Sequence, residues 1–137
     1  MVTFLSVFAA VILIGALLLA IIALTRQSGG RLDIEKYRTK WLAIENQLTR
    51  EDTASHQLCV LNADKLLDQA LRERGTKGDS MGARMKAVQS WSNANGVWTA
   101  HKLRNQIAHE PDVRVQYEDS RRALAGFKQA LKDLGAI

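Results

Sequence analysis

Apolar residues in this chain fall into two regimes. From Phe4 to Leu24 they are nearly continuous, a run of 21 residues broken only by Ser6 and Gly15. Past residue 31 they recur three and four apart among charged residues, the spacing of one face of a helix. The stripe Ile34, Tyr37, Trp41, Ile44 and Leu48 predicts a helix capped by Asp33 and running to about Arg50. A second helix is expected from about Thr53 to Arg74, stopped by Gly75. It has a wide apolar set of Leu58, Cys59, Ala63, Leu66, Leu67, Ala70 and Leu71 that suits a central position. A short helix starts near Ser80 with Met81, Met85 and Val88. A third long one is capped by Ser92 or Asn93 and ends at Glu110 before Pro111. Residues 112–116 read as irregular. A last helix over about Glu118–Leu134 turns Leu124, Phe127, Leu131 and Leu134 inward and stops at Gly135. No segment alternates with period two, so the expected fold class is all-α: an antiparallel bundle of four main helices plus one short helix, preceded by a single transmembrane helix.

The first regime sets the organisation. As a helix, the 21-residue run is about 31 Å long, the thickness of a bilayer's hydrocarbon core. A cleaved signal peptide fits less well: no basic residue precedes the run, it is long for such a peptide, and no small-x-small site follows. A buried core helix would need more covering chain than remains. Expected boundaries are a transmembrane helix over 1–26, a flexible linker over 27–32 around Gly29-Gly30, and a helical domain over 33–137. All charged side chains lie in residues 26–137, which carry the net charge of +5. Arg26, Arg31, Lys36, Arg38 and Lys40 follow the apolar run and none precede it. The expected arrangement is therefore a single-pass membrane protein with its N-terminus outside and its C-terminal domain cytoplasmic. The lipid bilayer is the partner of residues 4–24, and the basic cluster can touch anionic headgroups. The lone Cys59 agrees with a reducing compartment, its plain role being a small core residue.

Candidate chemistry concentrates in residues 101–111. His101, Asn105 and His109 are four apart and line one helical ridge, with Arg104 beside it. Arg104 and His109 are about 140° apart around the axis, within reach of a long arginine side chain. Arginine offers a permanently charged fork for phosphate oxygens, and histidine exchanges a proton near neutral pH. Together they suit attack of an RNA 2′-hydroxyl on its adjacent phosphate without a metal. Eleven arginines and three histidines in 137 positions give this spacing by chance in about one such chain in four. The weight therefore rests on its context: Arg-Asn late in a long amphipathic helix that Ala-His-Glu-Pro ends.

In that context the segment Leu103-Arg104-Asn105-Gln106-Ile107-Ala108-His109 resembles the Arg-Asn-x3-His signature of HEPN domains. The resemblance extends over residues 33–134. These are small all-helical bundles, frequently dimeric, and many are metal-independent ribonucleases. The resemblance implies Arg104 and His109 as catalytic with Asn105 as their helper, a homodimer through the motif helix, RNA as substrate, and an antitoxin-like protein as a further partner. His101 and Glu110 are candidate supporting residues. The non-catalytic counterpart is a membrane-tethered interaction module of the same fold, in which Asn105 and His109 only hydrogen-bond neighbouring helices.

Other features carry less. Lys77, Arg84, Lys86 and Lys102, with Arg72 and Arg74 nearby, are candidates for an RNA-backbone patch, against the plainer reading of a solvated face. The loop Gly75-Thr76-Lys77-Gly78-Asp79-Ser80 lacks phosphate-loop order and reads as a helix–helix turn. Two histidines eight apart and one cysteine make no metal site, and no cofactor is called for. His56 reads as a satisfied core histidine. Trp41, Trp91 and Trp98 are expected as core anchors, Trp91 alternatively stacking on a base.

Overall fold

The structure is a computed structural model that describes residues 1–27 and 30–137, with backbone alone for 24–27. Among these residues there are six helices and no strand. The expected linker at Ser28-Gly29 and the Arg26 side chain fall outside the described set. Two compact units are present, residues 1–31 and 32–137.

The first unit is a single helix, α1 (Val2–Gln27). It is long and apolar enough to cross a membrane over Val2–Ala23. The Ser6 hydroxyl donates to the Thr3 carbonyl at 2.8 Å, so the helix satisfies that group itself.

The second unit holds α2 (Ile34–Gln47), α3 (Thr53–Glu73), α4 (Met81–Ala87), α5 (Ala94–His109) and α6 (Tyr117–Asp133). Their starts follow from capping side chains. Asp33, Asp52, Ser80 and Asn93 each accept a hydrogen bond from a backbone N–H of the first turn. At α6, Gln116 and Asp119 form a reciprocal capping box. Gly75 and Gly135, at φ of 80° and 74°, take the left-handed conformation that closes α3 and α6. The helix of residues 34–47 is three residues shorter than the apolar stripe suggests, because Leu48 turns into extended backbone.

Helix α3 packs against each of the other four. Its buried stripe includes Cys59, Val60, Ala63, Leu66, Leu67, Ala70 and Leu71. Leu58, expected among them, is 43% exposed: it sits about 100° around the helix from Cys59, beyond the edge of the stripe. Tyr37, Trp41, Met85, Val97, Phe127, Leu131 and Leu134 complete the core. Trp91 and Trp98 are only partly buried, and the Trp91 indole donates to the Met85 carbonyl.

Two contacts tie connections to this core. The buried His56 ring has its nitrogens 2.8 Å from the Thr49 carbonyl and 3.1 Å from the Val115 carbonyl, joining the α2–α3 and α5–α6 connections. Arg74 donates to the Leu134 carbonyl at the end of α6. Between α5 and α6 the backbones meet closely: a Cβ on Gly126 would lie 2.5 Å from the Gly96 carbonyl oxygen. Gly82, by contrast, has open space, with only the Ser80 hydroxyl at 4.0 Å. Gly126→Ala should therefore cost about 1–3 kcal/mol through overpacking. Gly82→Ala should leave stability unchanged or raise it by up to about 1 kcal/mol through helix propensity. Urea unfolding followed by tryptophan fluorescence measures both.

At the far end of α3, Glu73 collects the Tyr37 hydroxyl at 2.6 Å, the Gln69 amide and the Lys36 ammonium. These donors, Tyr37 first, hold its carboxyl down at about 2 against an ordinary 4.5. A carboxyl depressed in the folded state adds stability above its unfolded value and loses it as pH falls toward the folded one. The domain should lose stability between about pH 4.5 and 2. Tyr37→Phe should flatten that part of the acid-unfolding profile.

Candidate functional site

The candidate site is built where α5 lies against α3. On α3, Asp64 occupies a position between the buried Val60, Ala63 and Leu67, and it is itself only 4% exposed. A carboxylate there must find donors, since leaving it unpaired in a dry interior costs several kcal/mol. Both donors come from α5. His101 Nδ1 lies 2.7 Å from Asp64 Oδ1, and Arg104 Nε lies 3.3 Å from Oδ2. Their three-residue spacing sets the two side chains one turn apart on one helix face, so they straddle a single carboxylate. Arg104 Nη1 also donates to Asn105 Oδ1 at 3.1 Å. The Trp98 ring meets the His101 ring edge-on at 6.2 Å.

One turn further along α3, Asp68 repeats the arrangement with other partners. Arg84 approaches it from α4 at 2.7 Å through Nη2 and 2.8 Å through Nε. Arg72 approaches at 3.0 Å. Arg84 also donates to the Gly78 carbonyl at 2.8 Å, which pins the loop after α3. Asp64, Asp68, Arg84, His101, Arg104 and Asn105 all line one open cleft of about 810 Å³, with Asp79, Lys65 and Arg72 at its edges. Its walls are charged with both signs, and the carboxylates of Asp64 and Asp68 are already engaged by cations.

This arrangement brings together His101, Arg104 and Asn105. It does not bring His109 into the same cleft. His109 is the last residue of α5 and exposed, and among the described residues its side chain makes no hydrogen bond or ion pair. Glu110 caps the helix through its backbone N–H, which donates to the Gln106 carbonyl at 2.8 Å, and its side chain is exposed. Lys77 and Lys86 are exposed. Lys102 faces a different groove, between α5 and α6, with Thr99, Gln106 and Arg122. Arg84 departs from the expectation of a surface basic patch: it is 7% exposed, with its guanidinium spent on Asp68 and Gly78. Among the described residues no group of three or more histidine, cysteine or acidic side chains forms a metal-binding cluster.

Asp64 and Asp68 are the residues that pattern reading passes over. The signal for Asp64 is an acid on the apolar stripe of α3, where charge is rare without a partner. Comparison of the chain with known protein families, with characterised proteins and with solved structures gives no match.

Asp68 holds one buried and one exposed cation, which separates two variants. Asp68→Ala strips the buried Arg84 of its counter-charge and should cost about 3–5 kcal/mol. Arg72→Ala breaks only an exposed i,i+4 pair and should cost less than about 1 kcal/mol. Thermal or urea unfolding of the two variants checks the order.

Proposed function

We propose that residues 32–137 are an HEPN-like endoribonuclease domain held at a membrane by α1, cleaving RNA without a metal through Arg104 and His109. The observation that carries this reading is the state of the two motif side chains. Arg104 is held at the cleft by Asp64 and Asn105 with its side chain 37% exposed, and His109 stands exposed at the helix end with no internal bond. A guanidinium so held keeps N–H groups for phosphate oxygens without a search for its rotamer.

In the reaction, the ribose 2′-oxygen attacks the adjacent phosphorus as its hydroxyl proton passes to an imidazole. Arg104 stabilises the charge that builds on the pentacovalent phosphate. The 5′-oxygen leaves with a proton, giving a 2′,3′-cyclic phosphate and a 5′-hydroxyl. Two copies with facing motif helices form the working unit and supply two imidazoles to one joint cleft. DNA is spared because it lacks the nucleophile. The basic residues after α1 keep the domain on the cytoplasmic side, where RNA and an antitoxin-like protein partner reside.

A second reading rests on the same Arg104. Its guanidinium is already ion-paired with Asp64 and its Nη1 donates to Asn105, so a phosphate must compete for it. A non-catalytic, membrane-tethered binding module needs no more than that.

The test uses the full chain in lipid nanodiscs with excess chelator and a mixed-sequence RNA. Ribonuclease action gives products ending in 2′,3′-cyclic phosphate, and Arg104→Ala or His109→Gln lowers the rate about 10²–10⁴-fold. No cleavage, with RNA or protein binding retained, establishes the second reading. Cleavage that persists in both variants sinks the assignment.

A further inference from the structure

We infer that His101 is a proton acceptor in the Arg104 cleft, held for that role by Asp64. The inference rests on the ribonuclease reading only for the identity of the substrate.

An ionised carboxylate can only accept, so the contact of 2.7 Å between Asp64 Oδ1 and His101 Nδ1 requires the proton on Nδ1. In the neutral ring the lone pair is then on Nε2, the tautomer being set by this bond. Among the described residues Nε2 has no hydrogen-bond partner. Among the described residues no side-chain nitrogen or oxygen is both buried and unpaired, so Nε2 reaches solvent. His101 lines the cleft with Arg104 and Asn105. An acid that orients a histidine and leaves its far nitrogen open to a reactant is the arrangement of a positioned general base.

Position favours His101 over His109 within one copy. His101 and Arg104 are one turn apart and bond the same carboxylate, so imidazole and guanidinium flank one point in the cleft. His109 is eight residues further on, about 12 Å along the axis, and does not line the cleft. A phosphodiester on Arg104 therefore meets the His101 ring first.

The step balances without a further reactant. Nε2 takes the ribose 2′-hydroxyl proton, the 2′-oxygen forms its bond to phosphorus, and the bond from phosphorus to the 5′-oxygen breaks. A second imidazole, that of His109 in the facing copy, gives its proton to the departing 5′-oxygen, and solvent then carries one proton from His101 back to His109. Arg104 bears the phosphate charge throughout. Asp64 touches no substrate atom and is a positioning residue, fixing both the tautomer of His101 and the direction of Arg104.

Three measurements on the full chain in detergent micelles or nanodiscs test this. Two-bond proton–nitrogen spectra, with the rings assigned from His56→Gln, His101→Gln and His109→Gln, should show His101 as the Nδ1–H tautomer with an unprotonated Nε2. An Nε2–H tautomer overturns the proposal whether or not the protein cleaves RNA. Diethyl pyrocarbonate should acylate His101, and Asp64→Asn should slow that reaction about tenfold while converting the ring to mixed tautomers. Asparagine supports this outcome because it leaves one acceptor for two donors. A purely structural Asp64 would leave tautomer and acylation rate unmoved, which also overturns the proposal. In the cleavage assay, His101→Gln keeps a donor for Asp64 but cannot accept a proton, and it should lower the rate about 10²–10⁴-fold. Full activity in His101→Gln with loss in His109→Gln overturns the role of His101 and leaves the ribonuclease reading standing. No cleavage by the unaltered chain ends the ribonuclease reading, and the tautomer and acylation results then decide the His101 assignment alone.

Discussion

A carboxylate inside a helical stripe of apolar residues constrains everything packed around it. Asp64 lies on the face of α3 that also buries Val60, Ala63 and Leu67, and it is 4% exposed. Desolvating that charge is tolerable only if donors saturate it. Both donors come from α5, one turn apart, so α5 has little freedom to rotate about its own axis. A turn of one residue, about 100°, would withdraw both His101 and Arg104. With that rotation set, Val97 and Ala100 face the core, and Lys102 faces the α5–α6 groove. A second side of α5 is held by a different constraint, the close backbone approach of Gly126 to Gly96. Electrostatics on one side and the absence of side chains on the other thus clamp the same helix, and the cleft inherits its geometry from both.

The helices are written locally, which is why they are legible. Asp33, Ser80 and Asn93 cap the helices that begin beside them, and Gly75 and Gly135 adopt the left-handed conformations that end two of them. Each signal acts within four residues and needs no partner from elsewhere. The departures are matters of degree at the edges of stripes. Leu58 is apolar and adjacent to the buried stripe, yet lies just outside it. Leu48 continues the three-four spacing of its helix, but the backbone has already left the helix there.

The site is less legible because its pairings join residues 16 to 40 positions apart. The motif helix shows which of its residues share a ridge, and His101, Arg104 and Asn105 do reach one cleft. Nothing local says that Asp64 is the acceptor for two of them, a pairing across 37 residues. Nor does anything local distinguish Arg84 from the lysines around it. Lys77 and Lys86 stay at the surface, while Arg84 finds Asp68 on α3, 16 residues away, and is buried with it. The planar guanidinium bonds Asp68 and the Gly78 carbonyl together, which a lysine in that place could not reproduce with one compact ammonium. A basic residue in a charged run thus takes opposite roles according to contacts that only folding creates.

The division between the two units bears on how such a site would act. The chain separates a helix without charge over residues 2–23 from a domain whose functional candidates are nearly all charged or titratable. In the proposed chemistry the domain works as two copies facing each other, while each copy holds its own Asp64, His101 and Arg104. Confining α1 to a bilayer restricts the search for a second copy to a plane and raises its effective concentration without any new contact between the domains. Weak association of the helical domains would then suffice. The exposed motif end at His109 has no internal bonds to break before meeting a partner surface. The buried half of the site, by contrast, is assembled within one chain, so Arg104 and His101 stay oriented before any encounter. In the proposed arrangement the tether and the internal network address separate costs of a composite site: one reduces the search for the second copy, the other removes the need to order Arg104 and His101 once it arrives.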